Sequence, residues 1–152
     1  MITAELAGVI ARHAEGQLRP AAAAALATLE TLGLPSSVVD FYRAFEPASC
    51  IEINGVRLWP IPQIIEENRD YVPGADLFPH GLVVFATTVF GDVYCFDLSE
   101  KGPPVVLMSH ELGFSEMPLP RIKELRKQVA PNLDTFLERF AVGALDIEPL
   151  SQ

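Results

Sequence analysis

The sequence predicts an α+β fold, a mainly antiparallel sheet packed with helices, formed by one domain over residues 1–152. Three observations predict it. Helical periodicity occupies both ends of the chain, a tight-turn hairpin and three further strand-like runs follow one another between them, and the turns are too short for parallel crossovers.

Taken in order, Ile2, Leu6, Val9 and Ile10 share one face of a helix over 2–14. A second helix begins near Pro20, which suits a first turn, carries Ala22, Ala25, Leu26, Leu29 and Leu32 inward, and is capped by Gly33. Pro35 ends that stretch, and Ser36 or Ser37 caps a third helix whose Val38, Phe41, Tyr42 and Phe45 form an aromatic stripe suited to the core. Ile51-Glu52-Ile53 alternates, Asn54-Gly55 is the strongest short hairpin signal, and Val56-Arg57-Leu58-Trp59 resumes the run. Pro60 and Pro62 close the hairpin, and 61–71 reads as a short helix with Ile64 and Ile65 inward and Glu66, Glu67 and Asp70 toward solvent. Residues 76–81 read as loop. The apolar run 82–88 reads as a mid-sheet strand covered on both faces, Gly91-Asp92 turns into a strand over 93–97, and 105–108 forms a third. A helix over 121–128, a final helix capped by Asn132 with Leu133, Phe136, Leu137 and Phe140 inward, and a loosely ordered tail from Asp146 complete the pattern.

Composition restricts the function classes. With 49% hydrophobic and 20% charged residues the chain is globular, and at this length it buries roughly 70% of its unfolded surface without disulfides or metals. The net charge of −9 is uneven: 46–116 carries eleven acids against Arg57, Arg69 and Lys101, whereas 117–139 carries five bases against three acids. An acidic body repels phosphate backbones, so no nucleic acid partner is expected. The acidic middle would steer a basic protein partner, although such charge also serves plain solubility. Cys50 and Cys95 have no CxxC spacing, the N-terminus has no basic n-region, and the apolar run 82–90 is half a membrane span. A cytoplasmic location is expected, with no membrane segment.

No catalytic constellation stands, for want of a motif or of the geometry it needs. There is no G-x-S-x-G elbow, P-loop or G-x-G-x-x-G fingerprint. Ser109-His110-Glu111 holds triad residue types as chain neighbours, whereas a triad converges from separate segments. Asp92 and Asp97, five apart, fall on opposite strand faces and cannot share a substrate. A metal site from His80, His110, Cys95 and Asp97 has no supporting spacing, and Arg121, Lys123, Arg126 and Lys127 read as a solvated helix face interrupted by Glu124. No catalytic residue, metal ligand or cofactor is assigned.

Several segments, in this order, resemble the SUKH superfamily of bacterial toxin-immunity proteins and fungal Smi/Knr regulators. The resemblance begins at Leu29-Glu30-Thr31-Leu32-Gly33-Leu34-Pro35 and continues through the aromatic Phe41-Tyr42-Arg43-Ala44-Phe45. Leu58-Trp59-Pro60-Ile61 with Ile64-Ile65-Glu66-Glu67-Asn68 follows, and Phe85-Ala86-Thr87-Thr88 with Phe90-Gly91-Asp92-Val93-Tyr94-Cys95-Phe96-Asp97-Leu98 is its closest part, a Gly-Asp before an aromatic strand. Val105-Val106-Leu107-Met108 with His110-Glu111, then Asp134-Thr135-Phe136-Leu137-Glu138-Arg139-Phe140, complete it, so that it spans about 20–141. One departure stands out: where many members place Asn-Gly after the aromatic helix, this chain has Glu46-Pro47-Ala48-Ser49. The resemblance implies a non-enzymatic protein-binding domain, with neutralisation of a basic toxin domain, often a nuclease, as the leading expectation. Glu66, Glu67, Asp70 and Asp92 are then the expected surface acids, with Trp59 and Tyr94 as aromatic anchors, against the plainer readings of solvation and core packing. A regulatory module with a non-toxin partner is the alternative, and a small enzyme using His110, Glu111 and Asp97 around a cleft the remote one.

Overall fold

A computed structural model describes residues 4–13 and 18–150. The predicted N-terminal helix is present as α1 (Ala4–His13), with Ala7 and Ile10 buried; Ile2 and Ala14 lie outside the described residues. Two short strands, β1 (Leu18–Arg19) and β2 (Glu46–Pro47), pair antiparallel and bracket α2 (Ala23–Glu30) and α3 (Ser36–Phe45). That ribbon corrects the predicted start of α2. Pairing holds the chain extended through Pro20, so the helix begins only after Ala22. The stripe on α3 is core as expected: Val38, Phe41 and Tyr42 are buried and Phe45 is half-buried.

The hairpin forms as β3 (Ile51–Ile53) and β4 (Val56–Leu58) about Asn54-Gly55. Then come α4 (Ile61–Arg69), a helical turn α5 (Gly74–Leu77) running into a 3-10 turn at Phe78–His80, β5 (Leu82–Thr88), β6 (Val93–Asp97) and β7 (Val105–Met108). The helical turns occupy most of the predicted loop 76–81. The chain ends with α6 (Leu119–Leu125), β8 (Lys127–Ala130) and α7 (Leu133–Ala141). The second sheet is a six-stranded antiparallel meander in the order β3-β4-β5-β6-β7-β8. This is the predicted α+β class with its mainly antiparallel sheet.

Strand β5 is central, and its apolar run is buried on both faces, as the unbroken hydrophobic pattern requires. Phe85 stacks on Phe96 at 4.1 Å between centroids, and Phe136 of α7 meets Phe85 and Tyr94 edge-on at 5.0 and 5.1 Å. Asn132 caps α7 as predicted, its side chain accepting from Thr135 N–H at 2.8 Å. Such a cap stabilises by about 1 kcal/mol.

Two expectations are corrected. The predicted helix over 121–128 stops at Leu125, and Arg126 turns extended, so that Lys127–Ala130 pairs with β7. Arg126 is held there by the buried Asp97 and by Glu100 at 3.1 Å. Over 146–150 the tail is tied down rather than loose: Tyr94 OH donates to Asp146 O at 3.3 Å and Leu150 N–H donates to Asp92 Oδ2 at 3.1 Å, while 151–152 lie outside the described residues.

Candidate functional site

Helix α4 begins where Pro60 leaves the hairpin extended, with Pro62 at its second position. Its first N–H, from Ile61, has no partner within the helix and donates instead to Glu46 Oε2 at 3.0 Å. Ile61, Ile64 and Asn68 face inward, Ile65 and Glu67 are half-buried, and Glu66 and Asp70 are exposed. Asn68 fixes the helix to the sheet. Trp59 N–H makes the last β4 bond to Phe85 O, and beyond it the Asn68 amide takes over, donating to Val84 O at 2.7 Å and accepting from Val84 N–H at 2.9 Å.

After α4 the chain crosses Tyr71 and Val72, both exposed, before returning at Gly74. A Cβ at Gly74 would lie 2.2 Å from Glu67 O, so only glycine lets this loop close against the helix. The result is an open cleft of about 600 Å³ between the β1–β2 ribbon and α4, lined among others by Arg19, Glu46, Cys50, Glu66, Glu67 and Tyr71. Burial, and then the neighbouring Glu66 charge, hold the Glu67 carboxyl above the usual carboxylate range.

The remaining sequence-predicted residues lie elsewhere. Asp92 is not a surface acid but is 2% exposed. Its Oδ1 accepts from His110 N–H at 3.2 Å and lies 2.8 Å from His110 Nδ1, while Oδ2 accepts from Leu150 N–H at 3.1 Å. The preceding Gly91 has φ +99°, and a Cβ there would meet the His110 ring at 3.2 Å. The Gly-Asp pair thus seats one ring and one end of the tail. Trp59 and Tyr94 are also buried and cannot serve as surface anchors: Trp59 follows β4 into the core, and Tyr94 lies under α7. Of the six expected partner-binding residues, the fold brings together Glu66, Glu67 and Asp70 and separates off the other three.

The exposed aromatic residue beside these acids is Tyr71, which sequence reasoning missed. Continued helical phase would have carried it inward three positions after Asn68, but α4 stops at Arg69. Val-Pro immediately after Tyr71 was the available signal, because a residue before proline disfavours helix.

The residues of the acid–base alternative do not converge. His110 is bound to Asp92 before β6, whereas Asp97 closes the far end of that strand, about 17 Å away at strand rise. Asp97 accepts from Ser99 N–H and Oγ and forms an ion pair with Arg126. Among the described residues no group of three or more His, Cys, Asp or Glu side chains is placed to hold a metal. Cys50 is exposed and Cys95 buried, both as free thiols. The basic cluster is largely committed within the molecule: Arg121 pairs with Glu124 at 3.0 Å, Arg126 with Asp97 and Glu100, and Lys127 with Asp146 at 3.5 Å. No helix among the described residues is long and apolar enough to cross a membrane.

The sheet and the helices around it define an antiparallel α+β domain with an acidic, aromatic-edged cleft. The chain belongs to the SMI1/KNR4 family (SUKH-1), whose family model matches residues 22–139. That family includes immunity proteins. No curated protein and no solved structure matches the chain at a significant level.

Proposed function

We propose that this protein is an immunity-type binder that neutralises a basic bacterial toxin domain by occluding it, using the exposed surface of α4. One observation carries the reading: Glu66, Glu67 and Asp70 stand together beside an exposed Tyr71, with Val72 next to it. Acidic side chains around an aromatic residue supply both parts of a specific interface, a field that steers encounter and an apolar body that desolvates on contact. Nuclease toxins suit the surface best, since a protein that grips phosphate is itself basic.

The test is capture of the partner from native lysate at low and at moderate salt, with the wild-type chain and with a variant carrying Glu66→Lys, Glu67→Lys and Asp70→Lys. The reading expects one basic protein, toxic when expressed alone, that salt weakens and the variant fails to retain. A partner that is harmless when expressed alone, or a toxin retained equally by the variant, overturns it; the harmless partner would make the domain a regulatory module.

A further inference from the structure

We draw no further inference here: the strongest candidate, the apolar groove between α2 and α4 lined by Ala24, Ala25, Thr28, Ile61, Pro62 and Ile65, carries nothing because nothing in the structure shows what covers it, the exposed Glu66 and Arg69 on its α4 side being of opposite charge and selecting no partner.

Discussion

At Asn68 a single side-chain amide continues the ladder that β4 leaves at Pro60, meeting both the N–H and the C=O of Val84 and also donating to Ile64 O at 2.8 Å. Truncation to alanine orphans buried backbone groups in the middle of the sheet, so Asn68→Ala is expected to lower stability by about 3 kcal/mol, measured by urea unfolding. Glu67 lies at the opposite pole, where local stability yields to surface chemistry. Its folded pKa is raised, so its favourable contribution is complete below the unfolded pKa and disappears as pH rises through the folded value. At neutral pH the charge therefore opposes folding. Glu67→Gln should raise the melting temperature while weakening partner capture; solvent screening at this half-exposed group keeps the gain below about 1 kcal/mol. Reduced stability with unchanged capture would contradict both halves of that expectation.

Among the elements, the C-terminal strap over 142–150 has the most distributed attachment. It is held by Asn54 at the hairpin turn, by Tyr94 from within the sheet, by Lys127 on β8 and by the buried Asp92. Asp146 lies at its centre. Its carboxyl is held below the usual carboxylate range chiefly by the N–H of Glu148, with Lys127 adding to it. A depressed folded pKa contributes above the unfolded value and is lost as pH falls through the folded one. Acidification should therefore release the strap before the sheet unfolds, read as loss of the native amide shifts of Glu148 and Leu150 while those of β5 persist. Simultaneous loss would contradict a separately held strap.

The strap also shows where sequence reasoning ran out. The hairpin, β6 and α7 were legible because each carries its own period and its own turn or cap, and β5 because its apolar run is unbroken. The two-residue strands β1 and β2 are too short for any period. Edge strand β8 was mistaken for helix because Lys127 and Gln128 are both exposed and show no alternation. Of the candidate site, the α4 acids were legible from helical phase. The burial of Asp92 was not, because it is set by His110 and Leu150, 18 and 58 positions further along the chain. After glycine, an aspartate reads as a turn residue until those partners are in place.

For the molecule as a whole, the decisive asymmetry is between charge that is spent and charge that is free to act. The net charge is −9, and much of the basic C-terminal cluster is tied up in intramolecular pairs, whereas the acids of α4 stand at an open cleft. This SUKH-1 domain presents exposed acids beside an exposed aromatic ring, as the proposed binding of a basic protein requires. The most direct measurement is growth of cells expressing the captured toxin together with either the wild-type chain or the Glu66→Lys, Glu67→Lys, Asp70→Lys variant. The account predicts full growth with the wild type and arrest with the variant, both proteins being folded by circular dichroism. Equal protection by the two chains, or arrest with both, would contradict it.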